Sequence, residues 1–214
     1  MGSSMDWQAW HDPYDDPASP LSHRLRLVQQ HIGQWLDERP EEKLTVVSLC
    51  AGQGRDLIGV LADRPDRERV RATLVELDER NAASASARAA AAGLDQLTVR
   101  PADAGLLSSY EGAVPADLVL AVGVLGNITD TDVRATVAAL PRLCADGATV
   151  IWSRTREAPD LTPTLRGWFA EEGFTELAFH APADVLFSVG VHRFTGRPQP
   201  LGTDERIFTF TFVQ

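Results

Sequence analysis

The sequence predicts an α/β protein with a seven-stranded, mostly parallel sheet, one antiparallel strand, and helices on both faces. Three observations lead to this prediction. Apolar residues 46–49 run into a tight turn at Gly52 and Gly54, and a helical pattern follows the turn. Further strand-like segments alternate with helical ones, as they do in βα units. The last two predicted strands are joined without a long helix, which favours one antiparallel strand.

The first element is an irregular arm followed by a helix. Residues 6–20 are rich in aspartate, proline and aromatic side chains, so a regular helix cannot run through them. Residues 21–36 carry apolar side chains at helical spacing, with Ser19 as the predicted N-cap and Pro20 in the first turn. The sequence therefore predicts a helix that begins directly after the arm.

The remaining elements follow in the order of the apolar runs and turn signals. Five strands are predicted at residues 44–50, 70–76, 97–100, 117–124 and 148–152. Helices are predicted at residues 57–62, 79–92, 129–143 and 162–173, the third opening with a capping-box pattern. The final strand pair is predicted at residues 174–180 and 207–213, with residues 187–193 and a Gly/Pro-rich loop between them.

Composition limits the classes of function. A chain of 214 residues with 44% hydrophobic residues fits one globular domain. Its net charge of −10 repels phosphate backbones, so a nucleic-acid partner is not expected. The two cysteines, Cys50 and Cys144, fall in or beside predicted core elements and are expected to be buried thiols. No apolar run spans a membrane and no signal-peptide pattern is seen, so we expect a cytoplasmic protein.

The glycine turn and an acidic strand end predict a nucleotide-like ligand. Alternate glycines, Gly52 and Gly54, let the backbone bend sharply and approach a ligand at a helix N-terminus. Glu76 ends the second strand, where a carboxylate accepts the hydroxyls of a ribose. Leu57 stands where the dinucleotide fingerprint needs a third glycine, and no Gly-Lys-Ser/Thr follows. A nucleoside without a pyrophosphate fits this pattern best.

Four segments in this order resemble the class I methyltransferases that depend on S-adenosylmethionine (SAM). They are residues 51–56, 75–78, 101–104 and 117–128. The resemblance covers about residues 44–152 and implies a Rossmann-like fold, SAM as the cofactor, and methyl transfer. The chain departs from the family pattern at Ser48, where many members carry an acidic residue, and at Cys50, where many carry glycine.

The resemblance implies cofactor contacts at the ends of four strands. It places the backbone of the turn against the methionine part of SAM and the Glu76 carboxylate on the ribose. Leu77 is expected on the adenine face, Asp103 near the adenine amino group, and Arg24 or Arg26 is a candidate partner for the cofactor carboxylate. The expected cofactor-binding residues are Cys50, Ala51, Gly52, Gln53, Gly54, Glu76, Leu77, Asp103, Ala104, Ala121 and Val122.

Candidate catalytic residues lie in the arm and after the fourth strand. Asn127 can orient a nucleophile by hydrogen bonding but cannot act as a base. His11 is the candidate base, and His180 and His192 are further possibilities. No carboxylate cluster suggests a metal, so none is expected. The expected substrate contacts are Trp10, Tyr14, Asn127 and His192.

The expected function is methyl transfer to a small molecule, such as a secondary metabolite. Residues 1–43 would form an arm and helix that act as a lid, and residues 44–214 would form the SAM-binding domain. Two alternatives stay open: an RNA or protein methyltransferase, and a SAM-binding module without catalysis. A basic patch would favour RNA, an open groove would favour protein, and the departures at Ser48 and Cys50 keep the non-catalytic module open. The sequence leaves the oligomeric state undetermined.

Overall fold

Seven strands form a single mixed sheet in this computed structural model, which describes residues 6, 9–40, 42–202 and 205–211, with the side chains of residues 9–11 excluded. The strands are β1 (Leu44–Leu49), β2 (Val70–Glu76), β3 (Leu97–Pro101), β4 (Ala116–Ala121), β5 (Cys144–Thr155), β6 (Phe174–His180) and β7 (Phe187–Phe194). The helices are α1 (Pro20–Asp37), α2 (Arg55–Ala62), α3 (Glu79–Ala91), α4 (Asp130–Ala139) and α5 (Thr162–Glu171). Short 3-10 helices occupy Ala9–Asp15, Arg67–Arg69, Leu107–Tyr110 and Leu140–Arg142.

The strand order is β3-β2-β1-β4-β5-β7-β6. Strands β1 to β5 pair in parallel, whereas β7 lies antiparallel to both β5 and β6. This confirms the predicted seven-stranded, mostly parallel sheet with one antiparallel strand. The order reverses at β1, which lies between β2 and β4, and ligands of open α/β sheets bind outside the carboxyl ends of the strands at such a point.

The last strand of the sheet is not the one that the sequence predicted. Residues 187–194 form β7, and residues 205–211 make only isolated bridges, Leu106 with Arg206 and Ile128 with Phe210. Seven of the eight residues of β7 are buried, so it lacks the alternation of a half-exposed strand. Ile207 and Phe208 are neighbours, yet each is only 2% exposed, because this segment packs as a loop against the core.

Local capping chemistry fixes where the helices begin. The Ser19 hydroxyl accepts a hydrogen bond from the Ser22 N–H at 3.1 Å, as the predicted N-cap should. Thr129 does the same for Asp132 at 3.1 Å, and Asp78 caps α3. Helix α4 ends at Ala139, earlier than predicted, and gives way to the 3-10 helix Leu140–Arg142, which contains a proline.

Helix α1 runs opposite to the parallel strands. Its last turn reaches the amino edge of the sheet, where Arg69, just before β2, donates to the Leu36 carbonyl at 3.0 Å. Its first turn lies at the carboxyl edge, where the His23 ring contacts Phe187 with centroids 5.3 Å apart. Val28 and Ile32 of α1 are fully buried in the same apolar cluster as α2 and α3, while α4 and α5 pack on the other face. In the described part of the chain, no helix is long and apolar enough to cross a membrane.

Candidate active site

The turn after β1 has a left-handed backbone at three alternate positions. The φ angles are 47° at Cys50, 56° at Gly52 and 65° at Gly54. The Ala51 N–H donates to the Val75 carbonyl at 2.9 Å, and the Gly54 N–H donates to the Ala51 carbonyl at 2.9 Å, so the turn is fastened to β2. A side chain makes the left-handed conformation unfavourable, so Cys50 holds strained backbone at the position where glycine is the usual family residue.

The absence of a side chain at Gly54 serves packing. A Cβ on Gly54 would lie 2.6 Å from Ile58 Cδ1 and 2.8 Å from Leu74 Cδ2. Ile58 belongs to α2 and Leu74 to β2, and both are buried. The space that a Cβ on Gly54 would fill is thus occupied by Ile58 and Leu74, and the missing side chain lets α2 pack onto the sheet.

The Glu76 carboxylate joins the second strand tip to the turn. Oε2 accepts the Gly52 N–H at 2.7 Å, and Oε1 accepts the Asp78 N–H at 2.8 Å. Glu76 is only 8% exposed, and burial raises its pKa, against the lowering effect of the backbone donors of Asp78, Gly52 and Leu77. A carboxylate accepts about four hydrogen bonds in all, so Glu76 keeps capacity for a further donor such as a ribose hydroxyl.

Two carboxylates act on the Cys50 thiol in the turn. Burial raises the pKa of the Cys50 thiol, and the charges of Glu76 and Asp103 raise it further. Like charges oppose the formation of a thiolate, so these carboxylates lie close enough to act on the sulfur. Carboxylates favour a nearby cation such as a sulfonium, and the ion pair of Asp103 with Arg206 offsets part of this effect.

Asp103 is held by its own loop and by residues 205–211. Its Oδ1 accepts the Gly105 N–H at 2.8 Å, and its Oδ2 forms an ion pair with Arg206 Nη1 at 2.8 Å. Ala104 is 3% exposed, and its carbonyl accepts the Tyr110 hydroxyl at 2.6 Å. The arginine was not anticipated, because no motif marks a residue about a hundred positions downstream as a partner of this loop.

Three expected cofactor contacts differ in their exposure. Leu77 follows Glu76 and is 64% exposed, so it offers a large apolar surface beside the carboxylate. Ala121 ends β4 and is buried, whereas Val122, one residue later, is partly exposed. The following turn is fixed by the Gly123 N–H, which donates to Ser153 Oγ at 2.9 Å.

Asn127 organises the loop after β4. The side-chain Nδ2 of Asn127 donates to the Gly123 carbonyl at 2.7 Å. The backbone carbonyl of Asn127 accepts the Thr211 N–H at 2.9 Å. The side chain therefore closes the loop that carries it. Residues 205–211 connect this loop with the Asp103 loop, a link that the sequence did not reveal.

Two ion pairs hold described residues of the N-terminal arm at the carboxyl edge of the sheet. Asp15 forms an ion pair with Arg55 Nη1 at 2.9 Å, and Asp6 forms one with Arg80 Nη2 at 2.9 Å. Arg55 and Arg80 lie in the first turns of α2 and α3, directly after the first two strand tips. The Arg55 guanidinium also lies 5.5 Å from the centre of the Tyr14 ring. The predictions for the side chains of Trp10 and His11 lie outside the described residues.

Of the two candidate partners for the cofactor carboxylate, Arg24 is the arginine that lies near the turn after β1. It is 8% exposed and donates to the Tyr14 hydroxyl at 2.6 Å. Burial raises the pKa of Asp56 in the first turn of α2, and the charge of Arg24 opposes this effect. Arg26 instead is exposed and donates to the Pro17 carbonyl at 2.8 Å. No sequence motif singled out the buried carboxyl of Asp56.

His192 does not reach the carboxyl edge, so its expected contact with substrate is wrong. It lies opposite Val150 in the β5–β7 pairing and is 0% exposed. Its Nδ1 accepts the Trp152 indole N–H at 3.1 Å, its ring stacks on Phe169 at 4.4 Å, and burial lowers its pKa to about 4. His180, another candidate base, is paired with His31 through the Nε2 atoms at 2.8 Å.

No protein-family model matches this sequence, and no curated protein matches it. Solved structures do match, and they show that the chain has the class I methyltransferase fold. An O-methyltransferase family protein from Burkholderia thailandensis is 16% identical with a TM-score of 0.67, over 88% of this chain and 59% of that one. The chain thus spans less than two thirds of that protein's length.

Two other similar structures were solved with a cofactor bound. Magnesium protoporphyrin IX methyltransferase from Synechocystis PCC 6803, with bound SAM, is 16% identical with a TM-score of 0.66, over 89% of this chain and 92% of that one. The 1,6-didemethyltoxoflavin-N1-methyltransferase of Burkholderia thailandensis, with bound 1,6-didemethyltoxoflavin and S-adenosylhomocysteine (SAH), is 17% identical with a TM-score of 0.64, over 89% of this chain and 84% of that one. At these identities the similarity shows the fold.

Proposed function

We propose that this chain is a SAM-dependent methyltransferase that acts on a small molecule. The observation that carries the proposal is the 2.7 Å hydrogen bond from the Gly52 N–H to the Glu76 carboxylate. It joins a left-handed turn after β1 to a buried carboxylate at the tip of β2, beside the point where the strand order reverses. This arrangement suits a nucleoside whose ribose meets the carboxylate.

The residues at this edge match the parts of SAM one by one. Glu76 accepts the ribose hydroxyls, and the exposed Leu77 covers the adenine. The backbone of residues 50–54 lies along the methionine part, with Arg24 as the partner of its carboxylate. SAM supplies the activated methyl group, and the carboxylates of Glu76 and Asp103 favour its positive charge.

A small acceptor fits the surroundings better than a polymer does. The arm is ion-paired on both sides of the turn, at Arg55 and at Arg80, so it narrows access to the edge. We infer that residues 6–20 close over the cofactor and that Tyr14 and Trp10 contribute to the acceptor pocket. Asn127 orients the acceptor from the loop after β4. The net charge of −10 disfavours RNA.

Calorimetry with SAH tests the cofactor half of the proposal. Wild-type protein should bind SAH, and Glu76→Ala should weaken binding by about 1.5–3 kcal/mol, the scale of hydrogen bonds to a charged group. Glu68→Ala is the matched control, because Glu68 is exposed in the 3-10 helix before β2, at the opposite edge of the sheet. Absence of SAH binding, or equal affinity in all three proteins, would contradict this site.

The substrate half needs a transfer assay. Protein with methyl-labelled SAM is incubated with phenols, carboxylic acids and nitrogen heterocycles, and in parallel with total RNA and with denatured protein. Label on a small molecule supports the proposal. Label on RNA or protein alone would move the function to a polymer, and SAH binding without any transfer would favour a non-catalytic module.

A further inference from the structure

Four residues from four elements form a row at the carboxyl edge of the sheet, on the far side of β4 from the turn. Thr155 and Phe187 face each other at the end of the β5–β7 pairing. A Cβ on Gly126, in the loop after β4, would lie 3.6 Å from the Thr155 nitrogen. On the other side, the His23 ring meets the Phe187 ring edge-on, at 5.3 Å and 85°. We call Gly126, Thr155, Phe187 and His23 the acceptor row.

His23 is one of two partly exposed histidines at this edge, with His180. It is partly exposed in the first turns of α1. His31 and His180 are bonded to each other, and His192 is buried beneath Trp152. Strand β6 runs parallel to β5, so His180 at its end also lies at the carboxyl edge and is partly exposed, but its Nε2 is bonded to His31. Among the four histidines whose side chains the structure describes, His23 is the partly exposed one at this edge that is not bonded to another histidine.

The first turns of α1 connect the row with the cofactor site. Arg24 is directed at Tyr14 and lies near enough to Asp56 to affect its pKa, which places it beside the turn after β1. The preceding residue, His23, contacts Phe187 instead. One helix end thus carries a cation toward the cofactor side and an imidazole toward β5 and β7.

Two arginines next to the row are already engaged. Arg154, at the end of β5, donates to the Leu125 carbonyl and forms an ion pair with Asp130 at 3.0 Å. Arg156 donates to the Val185 carbonyl at 2.7 Å. The carboxylate of Asp130 is therefore held by Arg154.

We propose that His23 contacts the methyl acceptor and takes the proton from its nucleophilic hydroxyl or ring N–H. The inference rests on the proposed function. The acceptor lone pair forms the bond to the methyl carbon, the electron pair of the broken carbon–sulfur bond stays on sulfur, and the acceptor proton goes to the imidazole. Water then takes that proton from the imidazolium. The acceptor class is therefore one whose reacting oxygen or nitrogen carries a proton.

The placement of His23 is tested without any acceptor. The imidazole carbon signals of His23 and His31 are followed by NMR across pH in the free protein, with SAH, and with sinefungin, whose amine carries a positive charge where SAM carries its methyl group. His23→Gln and His31→Gln assign the signals. Sinefungin should lower the apparent pKa of His23 by about 0.5 unit or more relative to SAH, because a nearby positive charge opposes protonation, and it should leave His31 unchanged.

Three outcomes separate the two proposals. If both ligands bind and His23 titrates identically with each, His23 is not at the methyl group and this inference is overturned. If neither ligand binds the wild-type protein, the proposed function fails and the inference fails with it. With an acceptor identified in the transfer assay, His23→Gln should lower kcat by about 100-fold or more at unchanged SAH affinity, whereas His31→Gln should not. Full kcat in His23→Gln would exclude proton transfer to His23.

Discussion

Replacing Gly54 with alanine tests how the turn after β1 is built. The left-handed backbone, at φ 65°, costs a residue with a Cβ about 1–2 kcal/mol. The new Cβ would also lie 2.6 Å from Ile58 Cδ1 and 2.8 Å from Leu74 Cδ2, and overpacking of this kind costs about 1–3 kcal/mol. A stiffer unfolded chain returns about 0.4–1 kcal/mol. We therefore expect Gly54→Ala to lower the free energy of unfolding by about 2–4 kcal/mol.

Equilibrium unfolding in urea, followed by circular dichroism and tryptophan fluorescence, measures this loss. Ile58→Val removes the Cδ1 atom that the new Cβ would meet, and alone it should cost about 0.5–1.5 kcal/mol. The double variant should lose about 1 kcal/mol less stability than the sum of the two single variants, because the overlap is relieved. The strain of the left-handed backbone would remain.

Gly33→Ala supplies the matched control. Gly33 lies in α1, and a Cβ there would meet no atom within 4 Å. This variant should be more stable than the wild type by about 0.5–1 kcal/mol, the helix preference of alanine over glycine. A loss below about 0.5 kcal/mol in Gly54→Ala, or strictly additive losses with Ile58→Val, would refute the packing role of Gly54.

Three further predictions concern the turn, the core and the arm. Cys50→Gly should be more stable than Cys50→Ala by about 0.5–1 kcal/mol in urea unfolding, because only glycine relieves the left-handed strain. Alanine usually gives the more stable protein of such a pair. If it does so here, the backbone at Cys50 is not strained. Because His192 has a folded pKa of about 4 against an ordinary 6.5, the unfolded state binds more protons between these values. Stability should therefore fall by roughly 3 kcal/mol as the pH drops through this window, and less steeply in His192→Gln; parallel pH curves would contradict the assignment. Removal of residues 1–17 should leave the circular dichroism unchanged but weaken SAH binding. SAH should also protect residues 12–16 of the full chain from proteolysis. Equal affinity of the two chains, and equal cleavage with and without SAH, would show that the arm packs on the domain without covering the cofactor.

Local signals allowed the sequence to predict much of the fold. Ser19 and Thr129 cap their helices as their types and spacing indicated, since a cap depends on residues three positions away. The five parallel strands were found for a similar reason, because each is a short apolar run that ends at a turn. The β7 strand was not predicted, since burial on both faces removes the alternation that marks a strand.

The parts of the site that were missed depend on distant contacts. Gly54 looked like a ligand-binding glycine, and only the neighbouring Ile58 and Leu74 reveal its packing role. His192 had the right residue type, but its position in the middle of β7 places it away from the edge. The pairing of Asp103 with Arg206 has no local pattern at all, because it joins two loops across most of the C-terminal half.

The segment of residues 205–211 has a consequence for the order in which the molecule assembles. It follows all seven strands in the sequence, yet it fastens the loop after β3 through Arg206 and the loop after β4 through Thr211. Closing such long loops costs conformational entropy. The contacts that offset this cost form only once the sheet exists. During synthesis the sheet can therefore form while the loops of Asp103 and Asn127 are still loosely held. The chain should then become compact before it can bind the cofactor.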